Sequence, residues 1–271
     1  MQMDIIDAHI HIFSGDHARQ LAQRAGHENS EAHLRTQYAL LGLKGAVVMG
    51  NHPLTLEHHV YPEFMRYCVG LDGHTRWEDE LQKSYDLVEQ HLSRDTCVGV
   101  KLYPGYGFHY VSDDIFGPVY ELAERHRKPV AVHTGETVFP RAKLKYSHPL
   151  TLDEAAASFP GVRFVMCHLG NPWFADAAAV ISKNPNVSAD LSGLLEGLTD
   201  MPAYFLKQEG YISYIKTWLE YMDAYDRLMF GTDWPLANIG NCIDLVSTLI
   251  PEEHHERVFA GNARHIYGLE F

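Results

Sequence analysis

The feature that most constrains the fold is an alternation that runs along the whole chain of 271 residues. Short apolar runs rich in β-branched residues are followed by longer stretches whose apolar residues recur at helical spacing. The first pattern predicts buried strands and the second predicts amphipathic helices. Eight strands are predicted, at residues 4–9, 45–50, 65–71, 98–103, 129–133, 163–168, 186–192 and 227–233.

Two of the predicted helices carry capping signals. Residues 113–127 begin with an Asp-rich cap, and residues 151–159 begin with Thr151, three residues before Glu154. Strand and helix units repeated over about 250 residues predict a (β/α)8 TIM barrel. A doubly wound open sheet is the alternative, but no Gly-x-Gly-x-x-Gly motif follows the first strand. Because the sequence has no repeat, low-complexity tract or linker-like segment, residues 1–271 are predicted to form one domain.

The composition narrows the class of partner. A formal net charge of -13 argues against nucleic acid and anionic membrane surfaces, which both attract basic proteins. No signal peptide and no apolar run near the roughly 20 residues of a membrane span is recognisable, so we expect a cytoplasmic protein. The four cysteines form no Cys-x-x-Cys pair, so neither disulfides nor a structural zinc site is expected. A small molecule is the expected partner, and barrels of this kind often form homo-oligomers.

In a TIM barrel, polar residues with chemical roles lie at the carboxyl ends of strands and point inward. Side chains alternate between the two faces of a strand, so the apolar set marks the face that packs under the helices. This reasoning assigns to the helix side Ile6, Ala8, Ile10, Val98, Val165 and Cys167. It assigns to the interior Asp7, His9, His11, Lys101, Tyr103, His133, His168, Asp190 and Asp233.

The interior set predicts a metal site. Several imidazoles and a carboxylate in one place are costly to dehydrate unless a cation binds them. Nitrogen and carboxylate donors together suit Zn²⁺, Mn²⁺ or Fe²⁺ better than Mg²⁺ or Ca²⁺. His9 and His11, on one face of the first strand, are predicted to bind one ion as a pair.

The motifs that surround these residues form a recognisable series. In chain order they are DAHIHIF, GVKLYP, VHTGE, CHLGN, GTDWP and the closing FAGNARHIYGL at residues 259–269. This series resembles the amidohydrolase superfamily, and within it the amidohydrolase-related branch of small metal-dependent barrels. The resemblance implies a single metal with the ligands His9, His11, His133 and Asp233. It also implies that His168 lies close to the metal-bound water or the substrate.

Lys101 is where the resemblance divides. In two-metal members of the superfamily, a carbamylated lysine at the end of the fourth strand bridges the ions, and the GVK motif lies at a similar place. An unmodified Lys101 would instead hold a substrate carboxylate or oxyanion as a point charge. One metal is favoured over two.

The predicted ligands lead to a predicted reaction. A metal with an open position lowers the pKa of its bound water to about 7 and polarises a carbonyl oxygen. The expected activity is therefore hydrolysis of an amide, lactone or ester bond of a small molecule, with Asp233 as general base and His168 beside the water or oxyanion. Non-oxidative decarboxylation of an aromatic or unsaturated carboxylic acid is the alternative. A barrel that keeps its metal only as a structural brace is a third hypothesis.

Loops after the strands are expected to set specificity. Residues 104–110, with Tyr106, form either a mobile aromatic flap or a surface loop. Residues 135–148 carry Arg141, which is either a contact for an anionic substrate or a solvated charge. Together with Lys101 and Tyr103, these side chains are the predicted substrate contacts, while Asp190 either contacts substrate or orders the barrel floor. His52 is an intermediate case, and surface positions are predicted for His17, His27, His33, His58, His59, His74, His91, His126, His254, His255 and His265.

Overall fold

The computed structural model describes residues 3–72 and 76–271, so His74 lies outside the described residues. Eight strands form one sheet in sequential order, and each strand is parallel to the next. The strands are β1 (Ile5–Ile10), β2 (Leu43–Met49), β3 (Met65–Leu71), β4 (Cys97–Leu102), β5 (Val130–His133), β6 (Phe164–Cys167), β7 (Val187–Asp190) and β8 (Leu228–Met229). All eight predicted strands are confirmed.

Hydrogen bonds between the first and last strands close the sheet. Ala8 N donates to Phe230 O and Asp233 N donates to His9 O, each over 2.9 Å. The predicted (β/α)8 barrel is therefore confirmed. Although β8 has only two residues in the ladder, the backbone that follows it stays hydrogen-bonded to β1 and His11 as far as Trp234.

Helices follow the strands around the barrel except between β2 and β3, which are joined through a 3₁₀ turn at Leu56–His58. They are α1 (Asp16–Arg24), α2 (Glu31–Leu41), α3 (Leu81–Leu92), α4 (Pro104–Gly107), α5 (Gly117–Arg125), α6 (Leu144–Ser147), α7 (Leu150–Ser158), α8 (Phe174–Lys183), α9 (Met201–Lys207), α10 (Glu209–Met222), α11 (Ile239–Leu249) and α12 (Asn262–Tyr267). The predicted helix at 151–159 is confirmed as α7. The helix predicted from 113 begins only at Gly117, after a 3₁₀ turn at Asp114–Phe116, because Pro118 favours the first helical turn. Among the described residues, no helix is long and apolar enough to cross a membrane.

The apolar side chains form two separate layers. The outer layer lies between strands and helices and contains Ile10, Val100 and Val132. The inner layer fills the barrel and contains Ile6, Ala8, Val47, Met49, Cys68, Val98, Ala131, Val165, Cys167 and Met229, together with residues of α12. Arg264 of α12 donates to Asp4, directly before β1, so α12 lies at the amino-terminal end of the strands. The barrel therefore has an apolar floor, and its polar residues lie at the opposite end.

The structure corrects the predicted faces of several residues. Ile6 and Ala8 pack in the interior, whereas Asp7 faces outward and accepts a hydrogen bond from Tyr38 of α2. The cause is a bulge between Asp7 and Ile10, where three residue steps of β1 face two steps of β2. The bulge restores the predicted inward direction of His9.

Three further assignments to the helix side were wrong for similar local reasons. Val98, Val165 and Cys167 belong to the inner layer. An irregularity in the pairing of β3 with β4 shifts Val98. At the end of β6 the chain leaves the strand at His168, whose φ is 63°, so this imidazole reaches the interior by a turn of the backbone rather than by alternation.

Candidate metal centre

Three donor atoms meet at the carboxyl end of the barrel. His9 lies near the end of β1, His11 follows β1, and Asp233 follows β8. His11 Nε2 is 3.2 Å from Asp233 Oδ1, and His9 Nε2 is 3.5 Å from the same oxygen. Ligands bound tetrahedrally at about 2.0–2.1 Å lie about 3.3 Å apart, so these spacings match the edges of a zinc site.

Two of these atoms are orphaned. His9 Nε2 and Asp233 Oδ1 are buried and have no hydrogen-bond partner among the described residues. Unpaired buried polar atoms are rare and unfavourable, and two of them that face each other call for a cation. The donor set fits a divalent metal of intermediate softness.

The second nitrogen of each histidine fixes the tautomer. His9 Nδ1 donates to Asp190 Oδ2 over 2.9 Å. His11 Nδ1 lies 3.1 Å from Met49 O and 2.5 Å from Asn51 Oδ1, both of which are acceptors, so this nitrogen carries the proton. Both Nε2 atoms consequently present lone pairs to Asp233, which is the arrangement of metal-ligating histidines.

The electrostatics keep this set in its ligating form. Burial, assisted by the charge of Lys101, lowers the pKa of His9 to about 3, so its imidazole is neutral. Burial alone would raise the pKa of Asp233, but the close contact with His11 and the nearby imidazoles of His168 and His9 outweigh it and hold the pKa below its usual value. Asp233 is therefore ionised. Its φ of 59° is a conformation that side chains other than glycine seldom adopt, and such strain is concentrated at functional sites.

Two buried carboxylates, those of Asp190 and Asp7, support the candidate site through hydrogen bonds. Asp190 Oδ1 accepts from His168 N over 3.0 Å and from Ser192 N and Oγ over 3.2 and 2.5 Å, while its other oxygen accepts from His9. The structure thus places Asp190 behind the imidazoles, and it does not line the cavity. On the outer face, Asp7 accepts from Thr232 N over 2.9 Å, which ties β1 to the residue that precedes Asp233.

His133 and His168 lie beside the three donors and contact each other. His168 Nε2 is 3.2 Å from His133 Nδ1, and His133 Nε2 is 2.9 Å from Glu136 O. His168 Nδ1 is 2.8 Å from Ser192 Oγ. His133 was expected from the resemblance as a fourth ligand, yet within the described residues the compact donor group contains His9, His11 and Asp233 without it.

The hydrogen-bond contacts of His133 and His168 form a chain that is one proton short when both imidazoles are neutral. Its ends, Asp190 Oδ1 and Glu136 O, only accept hydrogen bonds, and Ser192 and the two imidazoles stand between them. Four contacts need four protons, but one hydroxyl and two neutral imidazoles supply three. The chain is fully satisfied only when it holds one additional proton.

A cavity of about 620 Å³ opens onto these groups. His11, His133, His168 and Asp233 line its base. Its walls are mainly apolar and aromatic and contain Phe13, Leu21, Tyr103, Tyr106, Val138, Phe139 and Leu236. Polar groups on the walls are His17, Arg24, Asn51, Asp72 and Glu196. The shape and lining are those of a small-molecule site.

The four predicted substrate contacts divide into two pairs. Tyr103 and Tyr106 line the cavity, and the Tyr106 hydroxyl accepts from Val138 N over 3.1 Å, which holds the 135–148 loop against residues 104–110. Lys101 lies in the barrel interior and donates to Cys167 Sγ over 2.8 Å. Neither Lys101 nor the exposed Arg141 lines the cavity. The sequence missed that Cys167 faces inward, where its sulfur is within reach of Lys101.

Several histidines predicted for the surface are buried. His27, His59 and His91 are at most 7% exposed. His91, for example, accepts from the Tyr67 hydroxyl and donates to Leu54 O, each over 2.7 Å, so its polar atoms are satisfied inside the core. His17 lines the cavity as part of α1. The sequence did contain a signal for this cavity wall, because His17, Leu21 and Arg24 are spaced four and three residues apart and so lie on one face of a helix.

The fold and the donor set define a barrel with a candidate metal centre at its mouth. The chain belongs to the amidohydrolase family, whose model matches residues 6–269. No curated protein matches the sequence significantly.

Solved structures show the same fold at low identity. An amidohydrolase from Burkholderia multivorans with bound zinc is 17% identical, with a TM-score of 0.66 over 98% of this chain and 99% of that one. A probable 2-pyrone-4,6-dicarboxylic acid hydrolase from Acinetobacter baumannii with bound citric acid is 16% identical, with a TM-score of 0.65 over 98% and 100%. The 2,6-dihydroxybenzoate decarboxylase from Rhizobium is 16% identical, with a TM-score of 0.63 over 99% of both chains. The similar structures thus include hydrolases and decarboxylases.

Proposed function

We propose that the protein is a metal-dependent hydrolase that uses water to cleave an amide, lactone or ester bond of a small molecule. The observation that carries the proposal is the pair of buried, unpartnered atoms His9 Nε2 and Asp233 Oδ1, which lie with His11 Nε2 around one point at the base of a cavity. A closed structural site would not open into such a space, which supports catalysis over a structural brace.

Zinc is the proposed metal, with manganese and iron as alternatives, because two imidazole nitrogens and a carboxylate suit all three. One ion is proposed rather than two. A second ion would need Lys101 as a carbamylated bridge, and this amine is instead directed at Cys167 inside the barrel. His133 remains a proposed further ligand through Nε2, which would exchange its contact with Glu136 O for the metal.

A divalent metal held by His9, His11 and Asp233 would polarise the scissile carbonyl and lower the pKa of an attacking water. Asp233 is the proposed general base, because its ionised carboxylate lies at the same point and opens onto the cavity. The carboxylate accepts the proton of the attacking water and returns it to the leaving group. Its strained backbone fixes the oxygen in place before substrate arrives.

His168 is proposed to lie beside the attacking water or the developing oxyanion, because its imidazole lines the cavity together with Asp233. Burial lowers the pKa of both imidazoles, that of His168 and that of His133, which favours their neutral forms. When His133 Nε2 binds the metal in place of Glu136 O, three contacts remain in the chain, and one hydroxyl and two neutral imidazoles supply the three protons that these contacts need.

Non-oxidative decarboxylation of an aromatic or unsaturated acid is the second candidate. It is favoured by the aromatic walls, which include Phe13, Tyr103, Tyr106 and Phe139 and suit an aromatic or unsaturated acid. The two reactions differ in whether water enters the product.

The test is a panel of lactones, aryl esters, anilides and aromatic acids supplied to zinc-loaded and manganese-loaded protein. Acid release and incorporation of oxygen from labelled water identify hydrolysis, and CO₂ release identifies decarboxylation. We expect Asp233→Asn to lower turnover by about 100-fold or more with an unchanged circular dichroism spectrum. The control Asp153→Asn changes a carboxylate on α7 that pairs with Lys183, and should leave turnover unchanged. Full activity of Asp233→Asn would refute the assigned base.

A further inference from the structure

One wall of the cavity is built by a helix that the barrel itself does not require. Helix α1 precedes α2 in the first connection between strands, so this connection holds two helices. His17, Leu21 and Arg24 are spaced four and three residues apart, which places them on one face of α1, and all three line the cavity. Ala18 and Ala22, on another face, are fully buried against the protein. The helix therefore presents a mixed polar face to whatever occupies the cavity.

The backbone at the end of α1 is fixed. Leu198 N donates to Arg24 O over 2.9 Å, and Gly26, with a φ of 72°, turns the chain directly against the Leu198 side chain. Any side-chain carbon at Gly26 would lie 2.9 Å from Leu198. Arg24 is thus anchored through its main chain, and only its side chain is left to reorient.

The guanidinium of Arg24 has no ion-pair partner within residues 3–72 and 76–271. By contrast, Arg19 on the same helix pairs with Asp16. Among the described residues no ion pair includes Arg24, although Glu196 lines the same cavity. Among the described residues that line this cavity, Arg24 is the one that carries a permanent positive charge, and neither Lys101 nor Arg141 is part of the lining.

The remaining charges of the lining limit what Arg24 can accept. The lining also contains three carboxylates, on Asp72, Glu196 and Asp233. One anionic group of a ligand can pair with the Arg24 guanidinium. Any further negative charge that does not bind the metal would be repelled by these carboxylates. The aromatic side chains of the same lining suit a flat ring.

We infer that Arg24 forms an anion subsite on α1, so that the substrate carries one carboxylate or similar anionic group besides the group that reacts at the metal centre. The inference rests on the proposed function and narrows its substrate class to ring compounds with an anionic substituent. The residue determines specificity, since it contacts the ligand away from the reacting bond. Its guanidinium would bind the carboxylate through paired N–H donors.

The test measures binding, so it does not depend on turnover. Isophthalate, terephthalate and homophthalate are titrated calorimetrically into zinc-loaded protein, each beside its monomethyl ester, which keeps the ring and removes one charge. For at least one of the three dianions, we expect the wild type to prefer the dianion to its ester by about tenfold or more. Arg24→Met should abolish that preference and leave ester binding within about twofold, and Arg24→Lys should restore part of it as a point charge.

Arg19→Met is the matched control, because Arg19 lies on the same helix, pairs with Asp16 and does not line the cavity. It should keep the full preference for the dianion. A wild type that prefers none of the dianions, or an Arg24→Met variant that keeps the preference, overturns the subsite. Failure of the proposed function has a different signature, since the wild type would then fail to bind zinc or would bind it without the participation of Asp233.

Discussion

Replacement of Asp190 by Asn should weaken metal binding although Asp190 is not a proposed ligand. Asp190 Oδ1 accepts three hydrogen bonds, from His168 N, Ser192 N and Ser192 Oγ, while Oδ2 accepts one from His9 Nδ1. In the variant, the amide oxygen will occupy the position with three donors. The amide nitrogen must then face His9 Nδ1, and two N–H groups cannot share this contact.

The conflict is relieved when His9 moves its proton to Nε2, which removes the lone pair that faces Asp233. Loss of such a supporting partner typically costs 10- to 100-fold in metal affinity, which is about 1.4–2.7 kcal/mol. Competition with a chromogenic chelator measures the zinc affinity of wild type and variant, and urea unfolding of the metal-free proteins separates binding from folding. A variant that binds zinc as tightly as the wild type would refute the tautomer argument.

Two further predictions concern stability. A Cβ at Gly231 would lie 3.0 Å from both His9 Cβ and Ser192 Cβ, so Gly231→Ala should lower the free energy of unfolding, measured in urea, by about 1–3 kcal/mol. Gly210 lies in α10 with open space around it, so the control Gly210→Ala should raise the free energy of unfolding by about 0.5–1 kcal/mol. Equal effects of the two substitutions would contradict the packing. Burial lowers the pKa of His27 and His59 from 6.5 to about 4, so the unfolded chain binds more protons. Stability is then fully present above about pH 6.5 and falls toward pH 4, by up to about 3 kcal/mol per group. His27→Gln should reduce the loss between pH 7.5 and 5, and an unchanged slope would show that His27 is not responsible.

The alternation of apolar runs and amphipathic stretches was sufficient to predict all eight strands and their closure into a barrel. It succeeded because parallel strands covered on both faces must be nearly continuous in apolar residues. The bounds were less accurate where the chain turns early. The predicted last strand extends to Asp233, but its ladder ends at Met229 although the later residues stay hydrogen-bonded to β1.

Side-chain direction was harder to predict, because a single extra residue reverses it. Alternation placed His9 inward for the wrong reason, since Ile6 and Ala8 already face the interior and the bulge before Ile10 restores the direction. His168 turns inward through a left-handed backbone that no pattern of apolar residues encodes.

The parts of the site that the sequence concealed depend on tertiary contacts. The sequence grouped Lys101 with the inward-facing histidines. In the structure its amine instead donates a hydrogen bond to Cys167 Sγ in the barrel interior, below the cavity. Arg24 was not a candidate, since only the packing of Ala18 and Ala22 shows which face of α1 is turned to the cavity. Asp190 was recognised as an interior residue, but its four hydrogen bonds become visible only when β7 lies beside β6 and β1 donates across the barrel.

The most direct test of a metal centre at this position is the zinc stoichiometry of purified protein after equilibration with zinc and removal of excess, measured by elemental analysis. We predict one zinc ion per chain for the wild type and a loss of nearly all of it in the double variant His11→Ala, Asp233→Ala. A wild type that retains no zinc, manganese or iron, or a double variant that retains the full amount, would contradict the proposed centre.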